Sequence, residues 1–227
     1  MKKIILIILL ALVSFVGKSQ EFGIKSDLGA SWQKLPKHPF GNLKVKPSLY
    51  YSLGLFYSLK SKPSSIGLNI CLDYNKRGFR TEFVSNSDEA LYYYNSFSDS
   101  HSTQSRHSLS LTISPTINLS KRIEFIFGPH LTYSLGYKQT GTTNYYSDQN
   151  RTKLISSQDF NESYNGESFY DRLSYGVKFG FNIMVSKKID LGASYQYSRK
   201  MKYPEGLIVP KYHIFSFTTS LYLKSRG

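Results

Sequence analysis

Eight stretches of the chain alternate between apolar and small polar residues, and this alternation constrains the fold more than any other feature. In SLSLTISPTINL, which runs from Ser108 to Leu119, the odd positions hold Leu, Ile or Pro and the even positions hold Ser, Thr or Asn. Successive side chains of a β-strand point to opposite faces, so a period of two predicts a strand with two unlike faces. The other stretches are FGIKSDLGASW, SLYYSLGLFYSL, IGLNICLDYN, IEFIFGPHLTYSLGY, LSYGVKFGFNIMV, IDLGASYQYS and HIFSFTTSLYL.

The connections between these stretches alternate in length. The short turns KSKPSS, SKR and SKK follow the second, fourth and sixth stretches, whereas the other connections are roughly 10 to 30 residues long. Short periplasmic turns, long extracellular loops and an even number of strands are typical of outer-membrane barrels. The chain is therefore predicted to be all-β, an eight-stranded antiparallel up-and-down transmembrane β-barrel with short periplasmic turns and long extracellular loops.

The apolar face of the predicted strands is interpreted as the lipid-facing surface. The opposite face is dominated by Gly, Ser, Thr and Asn, which are too small and too polar to form the core of a soluble protein. A soluble ligand carrier of the lipocalin type is the alternative, and it would require every strand to face the other way. Tyr and Trp gather where hydrocarbon meets headgroups, and the apolar face ends on the long-loop side in a predicted aromatic girdle of Trp32, Tyr51, Tyr74, Tyr137, Tyr175 and Tyr197.

The N-terminus has the features of an export signal. MKKIILIILLALVSFVGKS combines a basic start, an apolar run from Ile4 to Val13 and small residues at positions 17 and 19. The run is shorter than the roughly 20 residues that a membrane-spanning helix needs. We expect a signal peptide over residues 1–19 that is cleaved after Ser19, a barrel domain over residues 20–227, and a location in the outer membrane.

The chain is strongly basic, with a formal net charge of +14. Its Lys and Arg residues are scattered through short turns and loops instead of being gathered on one helix or groove, which argues against a nucleic-acid partner. Basic turns either are simply solvated or attract anionic headgroups. The expected partners are outer-membrane lipid and lipopolysaccharide, with other envelope or secretion proteins reached through the loops. Cys71 is the only cysteine, so it cannot form an internal disulfide.

Charged residues recur on the small, polar face. Eight strands enclose a lumen just wide enough to be filled by side chains, so a general diffusion pore is disfavoured. Buried charges need partners, and the inward positions predict a polar network of Lys25, Asp27, Asp73, Glu124, His130, Lys178 and Asp190. We expect this network to stabilise the barrel, with a gated path or a proton-linked role as the alternative. No pattern indicates a catalytic residue, a cofactor or a metal site.

Two prolines interrupt otherwise regular stretches. Pro115 and Pro129 lie inside the fourth and fifth stretches, where each proline removes a backbone donor from the strand ladder. We expect a β-bulge at that height.

Four segments carry a resemblance to a known family. FGIKSDLGASW, LDYNKRGFR, FGPHLTYSLGY and FGFNIMV together resemble the outer-membrane β-barrel family of the Bacteroidetes that includes PorT. The resemblance extends over nearly the whole mature chain and implies an outer-membrane barrel. For PorT-like proteins it implies an association with type IX secretion and gliding machinery, and it implies no catalytic residues. The chain departs from the family pattern at Asp27, where a small residue is usual, and at its end, which is Lys224–Gly227 instead of an aromatic residue.

The long connections carry the remaining functional signal. LYYYNSFSDSHSTQSRHS and TGTTNYYSDQNRT are rich in Tyr, Ser, Asn and Gly, a composition typical of binding surfaces but also of solvated loops and of upward extensions of the strands. We expect a non-enzymatic accessory or interaction component of the cell envelope. The alternatives are an adhesin-type surface barrel and a lipid-modifying enzyme with a Ser–His pair, for which His101, His107, His130 and His213 are the available histidines.

Overall fold

The computed structural model describes residues 19–34, 41–60, 66–85, 97–164, 172–200 and 211–223. Most of the predicted signal peptide lies outside these described residues. Within them no helix is both long and apolar enough to cross a membrane. The strands are β1 Ser19–Lys34, β2 Gly41–Lys60, β3 Ile66–Ser85, β4 Phe97–Asn118, β5 Ile123–Tyr146, β6 Leu154–Tyr164, β7 Leu173–Met184, β8 Ile189–Lys200 and β9 Lys211–Tyr222.

Eight of these strands form a closed ring. Strands β1 to β5 pair antiparallel in chain order. Strand β5 then pairs with β7, β7 with β8, and β8 with β9. The ring closes between β9 and β1, where the pairs run from Gly23–Tyr222 to Lys34–Lys211. The predicted eight-stranded antiparallel up-and-down barrel is therefore confirmed.

The two faces of each strand point as the alternation predicts. In β4, Leu111 is 40% exposed, whereas Ser108 and Thr116 are fully buried inside the barrel. The same contrast holds around the ring, so the interior is lined with Ser, Thr and charged groups and the exterior with Leu, Ile and Phe. A continuous apolar exterior of this kind requires lipid around it, and it places the barrel across a bilayer.

The strands continue well beyond the membrane at the long-loop end. Strands β4 and β5 are 22 and 24 residues long, about twice the 9–11 residues that a tilted strand needs to cross a bilayer. The upper part of β5, Tyr137–Tyr146, pairs with β6, and its lower part, Ile123–Tyr133, pairs with β7. Strands β6 and β7 therefore follow one another along the same edge of β5. Much of the two longest predicted connections is strand extension, since Tyr and Thr favour strands even where their neighbours are polar.

The structure accommodates the two strand prolines without the predicted bulge. Pairing between β4 and β5 stops at Thr112–His130 and resumes at Thr116–Ile126, with the same register on both sides. Pro115 and Pro129 both lie within this interval, so the two missing N–H donors fall in one gap of the ladder. The strands stay close across it, because a Cβ on Gly128 would lie 2.1 Å from the carbonyl oxygen of Ile113. The bulge prediction at this height is wrong.

Register shifts occur instead nearer the extracellular end. One lies between Pro47 and Tyr51 of β2, and another lies opposite His107–Ser108 of β4, where β5 contains the extra residue Leu135. An extra residue on one strand reverses which side chains of that strand point inward beyond it. These two shifts determine what lines the mouth of the barrel.

Candidate functional site

Asp27 is the centre of a buried charge cluster inside the barrel. Asp27 lies on the inward face of β1 and is only 1% exposed. One carboxylate oxygen, Oδ2, accepts hydrogen bonds from Lys178 Nζ at 3.1 Å and Ser52 Oγ at 3.0 Å, and lies 3.3 Å from Lys25 Nζ. The other, Oδ1, accepts a hydrogen bond from Thr218 Oγ1 at 2.6 Å. Strands β1, β2, β7 and β9 are thus tied together at one carboxylate.

Asp73 supplies a second negative charge beside this cluster. It is buried on β3, it accepts a hydrogen bond from Cys71 Sγ at 3.0 Å, and it attracts the ammonium of Lys25. The neighbouring strand makes room for it, since a Cβ on Gly54 would lie 2.2 Å from Asp73 Oδ1. Two carboxylates therefore face two ammonium groups, and the central charge is balanced.

The other predicted network residues are buried in the lumen with partners of their own. Asn182 Nδ2 lies 3.4 Å from Glu124 Oε2, and the hydroxyl of Tyr222 donates a hydrogen bond to Asp190 at 2.9 Å. His130 Nε2 lies 3.0 Å from Gln196 Nε2. The structure thus brings Lys25, Asp27 and Lys178 into direct contact and places Asp73 beside them, while Glu124, Asp190 and His130 make these further contacts.

This packing leaves a lumen filled by side chains. Ion pairs and hydrogen bonds join opposite walls of the barrel, and Asp27, Lys178 and Asp73 are all nearly inaccessible to solvent. Among the residues that the structure describes, no group of His, Cys, Asp and Glu side chains is arranged to hold a metal ion.

Purified protein in planar lipid bilayers is expected to show no steady, porin-like conductance. The reason is that Asp27 and its two lysines occupy the centre of a lumen that is already narrow for an eight-stranded barrel. The measurement is single-channel current recording, with a 16-stranded porin in the same lipid as the positive control. Large, stable channels would contradict a filled lumen.

Five residues of the predicted aromatic girdle lie on the outer face at the extracellular edge of the apolar band. They are Trp32, Tyr51, Tyr74, Tyr175 and Tyr197. Two histidines that the sequence did not assign to the girdle join them. The ring of His213 stacks on Trp32 with a centroid distance of 5.6 Å, and His107 Nδ1 lies 2.5 Å from the hydroxyl of Tyr74. Imidazoles thus complete an interfacial belt that contains both apolar rings and polar groups.

Tyr137 lies on the lumen side instead of in the girdle. It pairs with Arg106 across β4 and β5, and the Arg106 guanidinium lies 5.7 Å from the centre of its ring. Its hydroxyl donates to Gln139, which also accepts a hydrogen bond from Gln104 inside the barrel mouth. The cause is the extra residue Leu135, which reverses the facing of β5 above it.

Two arginines at the mouth are inward-facing residues that the sequence prediction missed. Arg77 of β3 and Arg106 of β4 are direct cross-strand partners, and both guanidinium groups lie over the ring of Tyr212, at 4.7 Å and 5.4 Å from its centre. Arg77 continues the inward series Cys71, Asp73 and Asn75, and Arg106 has the same parity as Ser108. Extending the two alternating stretches by one step each identifies them.

A hairpin of β5 and β6 forms part of the extracellular surface. In its turn, the carboxylate of Asp148 accepts hydrogen bonds from the backbone N–H groups of Thr152 and Lys153, and these donors hold the pKa of Asp148 below its usual value. Arg151, which has a φ of 56°, donates to the carboxylate of Asp99 and to the backbone carbonyl of Ser85. The turn is therefore fastened to the upper ends of β3 and β4.

Two solved outer-membrane proteins are among the structures to which the chain is similar. Ail, the attachment invasion locus protein of Yersinia pestis, is 10% identical, and the alignment covers 90% of this chain and 99% of that chain with a TM-score of 0.44. Neisserial surface protein A, NspA, is 11% identical over 90% of this chain and 99% of that chain, with a TM-score of 0.40. No curated protein is similar enough to the chain to count as a relative.

The family comparison is more decisive. The model of the outer membrane protein beta-barrel domain matches residues 18–223, a range that includes all nine strands in full. The closed ring of strands with its apolar exterior is a β-barrel, as this description says. The protein lies in the outer membrane, and the chain belongs to the outer membrane protein beta-barrel domain family.

Proposed function

We propose that the protein is a non-enzymatic interaction component of the cell envelope, and that the β5–β6 hairpin is its docking element. The observation that carries this proposal is the unpaired edge of β6: within the described parts of the chain, β6 pairs only with β5. An exposed strand edge offers a row of backbone donors and acceptors to which a partner strand can add. The edge lies above the membrane, where other envelope proteins reach it.

Side-chain hydrogen bonds hold the hairpin together and fasten its turn. Asp159 accepts a hydrogen bond from Thr142 at 2.6 Å, and Asn144 accepts one from Ser157 at 2.8 Å, so polar pairs join β5 and β6 across one face. The Arg151 contacts hold its turn against β3 and β4. A partner that binds such a surface loses less free energy in ordering it.

Two exposed apolar residues lie at the start of β6. Leu154 and Ile155 are 56% and 58% exposed on the extracellular side, away from the lipid-facing band. Ile155 also lies at a register shift between the pairs Leu154–Tyr146 and Ser156–Tyr145, so it has no partner of its own on β5. Bulges of this kind redirect side chains and are common at functional edges. The pair supplies an apolar anchor next to a free strand edge.

A lipid-modifying enzyme is the rival function, and the histidines do not support it. His107 and His213 make contacts with tyrosine hydroxyls in the girdle, and His130 with Gln196 in the lumen. In the described portion of the chain no serine hydroxyl lies within hydrogen-bond distance of a histidine ring. A serine nucleophile activated by histidine requires the two side chains to lie within or near hydrogen-bond distance of each other.

The Leu154→Ser/Ile155→Ser double variant is expected to reduce recovery of the partner from native membranes by roughly tenfold or more, because apolar anchors carry most of the binding free energy of an interface. The barrel should still assemble, since both side chains are already exposed. The measurement is quantitative mass spectrometry of proteins that co-purify with the tagged barrel. Gln158→Ser, an exposed polar change on the same strand, is the matched control and should leave recovery unchanged. Equal recovery with the double variant and wild type would overturn the docking proposal.

The resemblance to PorT-like barrels supports a narrower proposal, that the partner belongs to protein secretion machinery. Deleting the gene should then change the set of secreted or surface-displayed proteins, and the Leu154→Ser/Ile155→Ser variant should fail to restore it. A changed acyl pattern of lipid A with an unchanged secretome would favour the enzyme instead. If neither the secretome nor the acyl pattern of lipid A changed, the result would favour an adhesin-type barrel whose partner lies outside the cell.

A further inference from the structure

Arg77 is a buried cation that has no acidic partner among the described residues. The residue is only 3% exposed, and its Nη1 and Nη2 atoms lie 3.3 Å and 3.5 Å from the hydroxyls of Ser198 and Ser174. Its Nε has no hydrogen-bond partner within the part of the chain that the structure describes. Burying a guanidinium costs several kcal/mol unless charge and hydrogen bonds compensate for it. Two long hydrogen bonds to neutral hydroxyls leave most of that cost uncompensated.

A second cation faces it directly. Arg106 is the cross-strand partner of Arg77, and like charges at directly opposed positions of a sheet repel each other. Both guanidinium groups lie near one aromatic ring, that of Tyr212. Among the residues that the structure describes, no carboxylate forms an ion pair with either arginine. Asp27, the most buried carboxylate of the lumen, is engaged with Lys25 and Lys178 instead.

The two arginines line a cavity at the mouth of the barrel, beyond the girdle residue Tyr74 along β3. The cavity is about half open to the solvent, and its volume is about 10 Å³, the room that one water molecule needs. Its lining includes Ser31, Arg77, Gln104, Arg106, Tyr137 and Tyr212. We propose that a phosphate or sulfate group binds at the open side of this cavity, where its negative charge neutralises Arg77 and Arg106 together.

The chemistry of the lining favours an oxyanion with two negative charges. Guanidinium groups present N–H donors in a planar fork that matches phosphate and sulfate oxygens, and two such groups match a dianion in charge. Ser31 and Gln104 add neutral polar groups, and the tyrosine rings offer faces on which a sugar or other organic portion can pack. The same group can reach the site as a free ion or as part of a phosphorylated saccharide, so both forms are used as probes.

The test is isothermal titration calorimetry of the folded full barrel in uncharged maltoside micelles at low chloride, with inorganic phosphate, inorganic sulfate and a hexose 6-phosphate as probes. Wild type should bind at least one of them saturably, and Arg77→Met and Arg106→Met should each weaken that binding about tenfold or more. Tighter binding of the hexose phosphate than of inorganic phosphate would identify a saccharide-borne group, and equal binding a free ion.

Lys76→Met is the matched control, because it removes one positive charge from the neighbouring outward-facing position of β3. It should leave binding unchanged. Arg106→Met keeps the test informative if Arg77→Met fails to fold, since Arg106 is the more exposed of the pair. Absence of saturable binding to wild type, or an equal loss with Lys76→Met and Arg106→Met, would overturn the proposal.

Discussion

Replacing Asp27 with Asn is expected to lower the free energy of unfolding of the barrel by about 3 to 5 kcal/mol, the cost of leaving buried charges without their partner. The substitution keeps the shape of the side chain but removes the charge that holds Lys25 and Lys178. Two ammonium groups would then face each other in a closed lumen, with only Asp73 nearby to offset them. The measurement is reversible urea unfolding of the barrel in lipid vesicles.

Two further variants separate charge from packing. Combining Asp27→Asn with Lys178→Met leaves Lys25 facing Asp73, so the charge is balanced again and most of the lost stability should be recovered. Asp159→Asn, which removes a carboxylate from the exposed β5–β6 hairpin, should change the stability by no more than about 0.5 kcal/mol. If Asp27→Asn lowered the free energy of unfolding no more than Asp159→Asn does, the central cluster would not be a main source of the barrel's stability.

Replacing Ile113 with Arg is expected to destabilise the inserted barrel by about 2 to 4 kcal/mol, the cost of a cation on the lipid face near the bilayer midplane. Ile113 is 42% exposed and lies halfway along the outward series of β4, between His107 at the girdle and Leu119 at the periplasmic turn. The heat-sensitive electrophoretic shift of folded barrels, together with vesicle unfolding, measures the loss.

Depth provides the control for this second prediction. Leu119→Arg places the same side chain next to the turn Ser120–Arg122, where the cost should fall to about 0 to 1 kcal/mol. Ile113→Leu keeps the site apolar and should assemble as wild type does. Equal tolerance of arginine at positions 113 and 119 would contradict the assignment of this face to the lipid core.

The ring could be predicted from the sequence because its signal is repeated and local. Each membrane segment separates large apolar from small polar side chains at a period of two, and a filled eight-stranded lumen follows from the number of such segments. The alternation also places Lys25, Asp27 and Lys178 on the inner face. Their direct contact could not be predicted, because it depends on which heights of β1 and β7 face each other across the lumen.

The mouth of the barrel was harder to predict for a different physical reason. A bulge changes the facing of every residue beyond it, and the residue that causes the bulge carries no distinctive chemistry. Leu135 looks like any other lipid-facing leucine, yet it turns Tyr137 inward. Above the membrane both faces meet water, so the contrast between faces fades, and β6 with its sequence LISSQDFNESY shows little alternation to read.

The strand extensions give the barrel walls of unequal height. Above the girdle, the described pairing continues from the upper part of β2 through β3, β4 and β5 to β6, whereas β7, β8 and β9 are only 12 residues long and end near the membrane surface. Over the described residues, the cylinder in the bilayer thus continues outside it as a curved screen on one side. A protein with such a screen has a front and a back in the plane of the membrane, so its rotation about the barrel axis decides which neighbours can reach the sheltered side.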